Sequence, residues 1–597
     1  MTRALLTFAM LASIGCDGTG PDDDGDDTSH VDGDADADAD SDADSDADSD
    51  ADSDADTDPA DTGPVADPND RDGDGFEIQD DCDDEDPEAF PGAPERCGDD
   101  KVTDCDRSSD DGLVTVDGDA TFTDLGEALR AAQPGSEVRV CAGVWRGTFG
   151  ATVPVSLVGS GSDLTLLDAQ GAGTTLIVPG GSSVAGVTIT GGWSPLQGGG
   201  VWLSGDGTVT ITDAVITGNE AARGAGIGVE GATLVLSNTR VEDNAAAEGT
   251  GGGIWCTEGV LELGDASIAN NVAVNGGGVF IDRCDVTGGV IEGNALPFSG
   301  NYGGGLFVYG DALSTLTGTE IRDNQGGGAY LGRDWSVYDH LLPVTMTDVW
   351  IHDNVDGGLR VDNTDAELLG ATVIEGNVND YSYGGGVSLF FGVIHGGVVR
   401  GNRSDTGGGG VDSNFGTIDG TTIEDNQAPT GGGVIVDNAE LIVRNAVIDG
   451  NVASGDGGGI AFLTVYGEIT PFSITDSTIT NNDAARGGGV FATEPVSVSG
   501  TTITDNTADR GAGLYLNDDV HAPLVDLTGS TVARNVAAIS GGGAFLEAGA
   551  GLSSEDCDWG VDVDDNLPGD VFVYAVEVVG YGADASFVCT DGCTPAP

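Results

Sequence analysis

The chain has few basic residues. Only 20 of its 597 residues are Lys or Arg, against 102 Asp or Glu, and the formal net charge at pH 7 is -82. Such a charge repels the phosphates of nucleic acids and the headgroups of an anionic bilayer, which argues against either as a partner. It also favours a monomer that attracts divalent cations.

Aromatic residues are scarce as well, at 6% of the chain, whereas glycine accounts for 101 residues. This composition disfavours an ordinary helical or α/β enzyme. The glycines follow no Gly-X-Y period, which excludes collagen. Beyond residue 16, no apolar run is long enough to predict a membrane-spanning helix.

Residues 1–16 carry an export signal. Arg3 precedes a short apolar run, which ends in Ser-Ile-Gly-Cys at Cys16. This ending resembles a bacterial lipobox, and the resemblance implies lipidation of Cys16 and a protein anchored to the outer membrane or cell surface. Plain cleavage and secretion is the alternative. The lipid would be the only membrane attachment.

Residues 17–68 are mostly Asp-Ala-Asp-Ser repeats with 22 Asp and no basic residue. No large apolar side chain is present to offset the entropy of ordering, so we predict a disordered, extended linker.

Residues 69–111 form an acidic, cysteine-containing module. Carboxylates occupy positions 1, 3 and 5 of a loop, a glycine stands at position 6, and a carboxylate closes it at position 12. Oxygen ligands in this register favour Ca²⁺. The predicted ligands are Asp70, Asp72, Asp74, the backbone carbonyl of Phe76, and Asp81. The loop resembles those of thrombospondin type 3 repeats; an acidic solvated loop without a metal is the alternative.

The continuation of this module, with Pro-Gly-Ala-Pro-Glu-Arg-Cys-Gly-Asp at 91–99, resembles the MopE-type metal-binding motif of bacterial surface proteins. It contains no histidine, which favours calcium over copper. We expect two disulfides among Cys82, Cys97, Cys105 and Cys141, and one more near the C-terminal end.

The rest of the chain is one repeat. Thirteen asparagines recur about every 26 residues, at 219, 244, 271, 294, 324, 354, 377, 402, 426, 451, 482, 506 and 535. Val or Ile stands three residues before each one, and an aliphatic residue or Met stands eight before, including Leu369. A glycine pair or triplet followed by an apolar residue separates successive asparagines. Cys256 stands two residues after Ile254, on the side of the strand expected to face the interior, and is expected to be a buried free thiol.

Period-two alternation in three short runs per repeat, separated by Gly, Asn or Asp corners, predicts strands that wind one turn per repeat. We therefore predict an all-β fold, a right-handed parallel β-helix of roughly 15 coils over residues 112–550, with a C-terminal cap at 551–597. A helix at 121–133 is expected to close its first coil. Stacked asparagines are expected to form a side-chain ladder.

The helix at 121–133 and the strand after it resemble the start of pectin-lyase-like β-helices, and the Gly-Gly-Gly-Ile repeats resemble polymorphic outer-membrane repeats. The first resemblance implies polysaccharide cleavage by a carboxylate cluster with an Arg or Lys base, or by paired carboxylates. The best candidates are Asp323 and Asp353 on successive coils, next to Arg322 and His352. A surface ladder of mixed charge explains the same residues, because the outward column continues Glu375, Arg400, Glu424 and Asp449.

Aromatic residues concentrate between residues 298 and 391, near three longer loops. Rings on such loops suit stacking on sugar faces, although they could equally pack onto the solenoid. The candidate ligand-binding residues are Tyr302, Trp335, Tyr338, Tyr381 and Tyr383. The sequence thus predicts a calcium-stabilised surface lipoprotein that binds an extracellular polysaccharide or other cell-surface ligand, or is structural. A polysaccharide lyase or glycoside hydrolase is the alternative, and a calcium-dependent matrix component a third.

Overall fold

The structure is a computed structural model that describes most of the chain beyond residue 68. The described residues are 69–91, 105, 113–118, 120–298, 302–309, 314–332, 343–381, 384–437, 440–463, 472–517, 523–574 and 586–589. The signal peptide, Cys16 and the acidic linker lie outside the described residues.

The described residues between 113 and 589 form an all-β solenoid of about 15 coils. Apart from antiparallel pairs at its start, each strand pairs in parallel with an equivalent strand of an adjacent coil. Four strand positions recur in each coil, and we call them A to D. Three runs per repeat were expected. They correspond to A, B and C, with B and C separated by a left-handed corner residue such as Asp213 at φ 50° or Asn238 at φ 45°. The fourth position, D, follows the repeated asparagine and was not expected.

The strands at position A follow the glycine pair or triplet. They are Phe149–Gly150, Leu176–Pro179, Val201–Ser204, Ile227–Glu230, Ile254–Thr257, Val279–Asp282, Leu306–Tyr309, Ala329–Gly332, Leu359–Asp362, Val434–Asp437, Ile460–Leu463, Val490–Ala492, Leu514–Leu516, Ala544–Leu546 and Val571–Val573.

The strands at position B follow the corner that ends position A. They are Glu137–Val140, Ser156–Gly159, Ser183–Ala185, Gly207–Thr212, Ala232–Ser237, Ser314–Thr317, Val344–Thr347, Leu441–Arg444, Phe472–Thr475, Val496–Ser499, Leu524–Thr528, Gly551–Glu555 and Ser586–Cys589.

From the coil of Asn219 onward, the strands at position C end two residues before the repeated asparagine. They are Gly143–Arg146, Thr165–Asp168, Thr188–Thr190, Val215–Thr217, Arg240–Glu242, Glu320–Arg322, Trp350–His352, Thr422–Glu424, Val447–Asp449, Thr478–Thr480, Thr502–Thr504 and Thr531–Ala533. Longer strands span more than one of these positions, namely Val260–Ala269, Asp285–Glu292, Asp365–Glu375, Val387–Arg400 and Val411–Asp419.

The strands at position D form two separate sheets. The first contains Trp193–Gln197, Glu220–Arg223, Ala245–Thr250 and Val272–Asn275, and the second contains Val378–Asn379, Arg403–Ser404, Gln427–Thr430, Val452–Asp456, Asp483–Arg486, Thr507–Arg510 and Val536–Ser540. The coils between these two sheets have no regular D strand in the described part of the chain.

The hydrophobic core runs the length of the solenoid. Every Val or Ile three residues before a repeated asparagine is completely buried, from Ile216 to Val532. The column eight residues before is buried too, with one exception. The assignment of Leu369 to this column is wrong. Leu369 is 45% exposed, and Leu368 takes the inward position next to Met346 of the preceding coil. The coil has one extra corner residue here, which shifts the register between Leu368 and Val373.

The predicted asparagine ladder is present. Each amide group donates from Nδ2 to Oδ1 of the asparagine one coil further on, at 2.9 to 3.1 Å, and each backbone N–H donates to the same oxygen. The ladder begins at Asn219 and ends at Asn566, a fourteenth member that the sequence pattern did not include. A third donation, to a backbone carbonyl, fixes each side chain.

The last residue of each glycine triplet, just before the apolar residue, has no room for a side chain because it packs against the ladder and the next coil. A Cβ on Gly253 would lie 2.7 Å from the carbonyl of Gly278 and 2.9 Å from Nδ2 of Asn271. No side chain fits in that space, so these glycines serve the packing of adjacent coils and not a phosphate site.

A helix closes the first coil, as expected. It spans Leu125–Ala131, shorter than the predicted 121–133, because Asp124 caps it by accepting a hydrogen bond from the Glu127 N–H. Leu125, Ala128 and Leu129 are buried in the core, and Phe122 packs against it from the preceding strand, Ala120–Phe122. That strand pairs antiparallel with Val114–Val116, which also pairs antiparallel with Glu137–Val140.

Parallel pairing continues through Gly551–Glu555 and Val571–Val573, so coils extend into the stretch expected to be the C-terminal cap. A 3₁₀ turn at Asp562–Asp564 precedes Asn566. No helix in the described residues is long and apolar enough to cross a membrane.

The cysteine predictions are partly wrong. Cys256 is not a free thiol but forms a disulfide with Cys284, its neighbour one coil away. Cys82 pairs with Cys105, and Cys141 is also disulfide-bonded. Cys557 carries a buried thiol that donates to the Glu555 carbonyl. The inward position of Cys256 suggested a thiol, whereas the fold places the two sulfur atoms within bonding distance across adjacent coils.

Replacing Asn402 with Ala should destabilise the solenoid by about 3 kcal/mol, since the amide and N–H of Asn377 and the carbonyl of Ile374 would lose their partner in a dry interior. The urea midpoint should fall accordingly. Asn414→Ala, on the outer side of a strand, is the control and should change it little. Equal midpoints for the two variants would contradict a stabilising ladder.

Replacing both Cys256 and Cys284 with Ala should cost about 3 kcal/mol, because the bridge closes a loop with a sequence separation of 28 residues. Chemical denaturation of the solenoid measures the loss. The matched control removes Cys82 and Cys105 instead, which should leave the solenoid's midpoint unchanged because that bridge lies in the acidic module. An equal loss of solenoid stability in the control variant would contradict a specific stabilising effect of the Cys256–Cys284 bridge.

Candidate functional site

A groove lies where the two D sheets are interrupted. The chain places only four residues between Asn324 and Ala329, and again between Asn354 and Leu359. The same short turn recurs after Asn566 in the last coil, whereas the other repeated asparagines are followed by seven or more residues. The first two short turns leave room for only single-residue bridges, at Gln325, Val355 and Val378. The result is a dent of about 510 Å³.

Aromatic side chains from longer loops on either side line this groove. Phe298 and Tyr302 come from one flank, and Tyr381 comes from the other. Tyr381 is 73% exposed. Polar groups lie between them, in the side chains of Gln325, Asp356, Asn379 and Ser388. Burial raises the pKa of the Asp356 carboxyl, and repulsion from Asp380 adds to the shift.

An arginine supports the floor of the groove. The Arg360 guanidinium lies 3.9 Å from the centre of the Tyr302 ring, and its Nε donates to Asp362 at 3.0 Å. The Tyr330 hydroxyl donates to the same carboxylate at 3.1 Å, and Tyr330 stacks on Tyr302 at 5.4 Å. Burial raises the pKa of Asp362, while the charge of Arg360 opposes that rise. Arg360 therefore has an internal counter-ion and acts as a platform for Tyr302.

This platform belongs to an outward aromatic column that sequence reasoning missed. Register pairing stacks one residue from each A strand, and the members of the column are, in order, Trp202, Gly228, Trp255, Phe280, Phe307, Tyr330 and Arg360. The sequence does contain a signal for this column. Its members are the residues that directly follow the first apolar residue after each glycine pair or triplet, as Trp255 follows Ile254. The short turns at 325–328 and 355–358 were a second signal, since they locate the dent.

Of the predicted ligand-binding residues, the structure brings Tyr302 and Tyr381 together in the groove. Trp335, Tyr338 and Tyr383 lie outside the described residues. The two tyrosines are 79 positions apart in the chain and come within one groove because they lie only three coils apart.

The four candidate catalytic residues lie on a different face, at position C. Arg322 and His352 are register partners, but each is already engaged with carboxylates. Arg322 contacts Glu292 at 2.5 Å and Glu320 at 3.0 Å. His352 hydrogen-bonds Glu320 through Nε2 at 3.2 Å and Asp353 through Nδ1 at 2.7 Å.

Asp323 and Asp353 lie one position beyond the charged column to which they were assigned. The column Arg322, His352, Glu375, Arg400, Glu424, Asp449 is continuous, with Arg400 hydrogen-bonded to Glu375. The two aspartates occupy a left-handed corner, at φ 55° and 53°, where other coils have Gly, such as Gly376. This backbone conformation explains their residue type, because Gly, Asn and Asp adopt it most easily.

The acidic loop gathers the predicted metal ligands Asp70, Asp72 and Asp74, whose carboxylate oxygens lie within 4.8 Å of one another. Asp70 accepts hydrogen bonds from the N–H groups of Gly73 and Gly75. The Phe76 N–H donates to Asp74, which tightens the same loop. The loop therefore concentrates three negative charges in a small volume.

Several carboxylate oxygens in this loop fit a hard cation. Oδ2 of Asp72, Asp74 and Asp81 are each buried with no hydrogen-bond donor in the described part of the chain. Burial and the neighbouring carboxylates raise the pKa of Asp72. Asp81 also lies close to the Cys82–Cys105 bridge. Buried acceptors without donors are the chemistry that Ca²⁺ satisfies.

Comparison with known proteins identifies the class of fold. Residues 159–312 and 298–470 match the family described as the right handed beta helix region, which together is more than half of the chain. The chain belongs to this right-handed β-helix family. No curated protein matches.

Two solved structures are similar at low identity. One is the A-module of the mannuronan C-5 epimerase AlgE6 from Azotobacter vinelandii, at 14% identity and TM-score 0.21, covering 79% of this chain and 94% of that one. The other is the catalytic domain of a GH87 alpha-1,3-glucanase variant in complex with tetrasaccharides, at 11% identity and TM-score 0.20, covering 79% and 67%.

The predicted calcium site is tested by replacing Asp72 with Asn, which should weaken Ca²⁺ binding by the purified protein at least about tenfold, because the predicted ligand set loses one carboxylate charge and one buried oxygen. Calorimetric titration of chelator-treated protein with CaCl₂ measures this. Asp80→Asn, at an exposed position of the same loop, is the matched control. Equal affinities for both variants would contradict a site at Asp70, Asp72 and Asp74.

Proposed function

We propose that this protein is a surface-anchored lipoprotein whose β-helix binds carbohydrate in the groove at Tyr302 and Tyr381. Lipidation at Cys16 would anchor it, residues 17–68 would form a stalk, and Ca²⁺ would order the acidic loop. The observation that carries the proposal is the groove itself, where exposed aromatic rings from separate coils surround amide and carboxylate groups.

Export is supported by the cysteines. Cys82–Cys105 and the buried Cys256–Cys284 are disulfides, and Cys141 is disulfide-bonded too. Structural disulfides persist in oxidising compartments outside the cytoplasm. The bridges therefore agree with the export signal at residues 1–16.

The groove chemistry suits a sugar ring. The C–H face of a pyranose stacks on an aromatic ring, and its hydroxyls exchange hydrogen bonds with side chains such as Asp356 and Asn379. Among the described residues that line the groove, Arg360 is the only cation, and Asp362 neutralises it. With a net charge of -82 on the chain, a neutral glycan is favoured over a polyuronate.

Binding without turnover is the better supported of the two functions. The alternative, a polysaccharide lyase or glycoside hydrolase, would use Asp323 and Asp353 with Arg322 or His352. The carboxylate of each aspartate contacts the basic residue just before it, at 3.6 Å for Asp323 and 2.7 Å for Asp353. Their position at a left-handed corner has a structural explanation that needs no catalytic role.

Replacing Tyr381 with Ala should raise the dissociation constant for a bound glycan about tenfold, since the ring is the most exposed stacking surface in the groove. Affinity electrophoresis of the wild type in gels containing laminarin, dextran, xylan, galactomannan or polygalacturonate measures binding and selects the polymer. Tyr574→Ala, at another exposed tyrosine, is the matched control.

We expect retardation by a neutral polymer and no release of unsaturated ends from polygalacturonate, read by ultraviolet absorbance. Absence of retardation in every gel would contradict carbohydrate binding. Turnover that disappears in Asp323→Ala or Asp353→Ala would instead establish the enzyme.

A further inference from the structure

Two phenylalanines occupy backbone positions that disfavour them. Phe391 and Phe415 lie at equivalent corners of successive coils, just after position A, with φ values of 49° and 62°. The left-handed region is unfavourable for bulky side chains, and glycine, asparagine or aspartate normally occupies it. The equivalent corner of the preceding coil follows this rule, with Asn363 at φ 52°.

The strained corners hold a solvent-facing aromatic surface. The two rings stack at 4.6 Å with an interplanar angle of 9°, and Phe391 is 43% exposed. Among the described non-glycine residues with positive φ, these are the only two aromatic ones. The core does not require them, because the inward places of this strand are taken by Val387 and Leu389.

The stack is connected to the groove across the outer side of the A strands. The Arg360 guanidinium, which supports Tyr302 in the groove, also lies 5.3 Å from the centre of the Phe390 ring. Phe390 in turn lies 6.4 Å from Phe391. Leu359 and Val361 point into the core, so Arg360 and Phe390 share the outer face with the groove.

We propose that the Phe391–Phe415 stack is a second carbohydrate subsite, which binds a later sugar ring of the same glycan that the groove holds. This inference rests on the proposed function. The four residues of an A strand span about 13 Å, which is longer than one pyranose ring, so the ligand that reaches both contacts is an oligosaccharide. The glycan would run along the outer face of the A strands, past Arg360 and Phe390.

The two rings offer only apolar faces, and the subsite therefore adds affinity through stacking rather than through sequence-specific hydrogen bonds. Affinity should increase with oligosaccharide length until the chain reaches the stack. A disaccharide that fills the groove alone should not sense the phenylalanines.

The test compares wild type with a variant carrying both Phe391→Asn and Phe415→Asn, which copies the residue of the preceding corner at Asn363. Calorimetry with a disaccharide and its longer homologues, taken from the neutral polymer that retards the wild type most, measures the affinity of each. We expect the variant to bind the disaccharide like the wild type and the long homologue at least fivefold more weakly. Its Tm should be equal or higher, because asparagine relieves the backbone strain.

Each result has a distinct meaning. If the variant binds the long homologue as tightly as the wild type, while Tyr381→Ala does not, the second subsite is wrong and the groove stands. If the double variant loses affinity for the disaccharide as well, or its Tm falls, the phenylalanines are structural and the proposal is overturned. If the wild type binds no glycan, the proposed function fails, and the subsite fails with it.

Discussion

The stacking of each coil directly on the next is the constraint on which the rest of the structure depends. The asparagine ladder and the inward aliphatic columns both require that equivalent residues lie one strand spacing apart, whatever the number of residues between them. Coils therefore vary in length only where no ladder or core residue is involved, at the corners and in the D segments. That freedom creates every candidate site in the solenoid. The groove forms where the turns after Asn324 and Asn354 are short, and its walls form where the neighbouring turns are long.

The same constraint separates structural carboxylates from functional ones. A corner that must be left-handed selects Gly, Asn or Asp, so an aspartate there carries little information about chemistry, as with Asp323 and Asp353. The left-handed backbone conformation disfavours an aromatic residue at such a corner, so Phe391 and Phe415 carry more information about function than these aspartates do. The groove aromatics are informative for a related reason. Tyr381 leaves a large ring exposed, although the chain has few aromatic residues to place.

Much of the fold could be predicted from the sequence, because a solenoid repeats its interior. The buried columns, the ladder, the all-β architecture and the capping helix follow from residue spacing alone. Leu369 was misassigned because a one-residue insertion is invisible when residues are counted back from Asn377. Cys256 was misassigned because spacing shows which way a side chain points but not which atom lies beside it. Tyr302 and Tyr381 were predicted from the clustering of aromatic residues near longer loops, whereas their shared groove depends on the two short turns that lie between those loops.

The most direct test of this account is the distance between spin labels along one outward column, measured by pulsed electron resonance. Labels carried by a noncanonical amino acid at Glu292 and Glu424 should be about 24 Å apart, and labels at Glu292 and Thr480 about 34 Å, because five and seven strand spacings separate them. A difference of about 10 Å between the two pairs supports coils stacked in register. Distances that do not grow by one strand spacing per coil would contradict the solenoid, and the groove and both subsites with it.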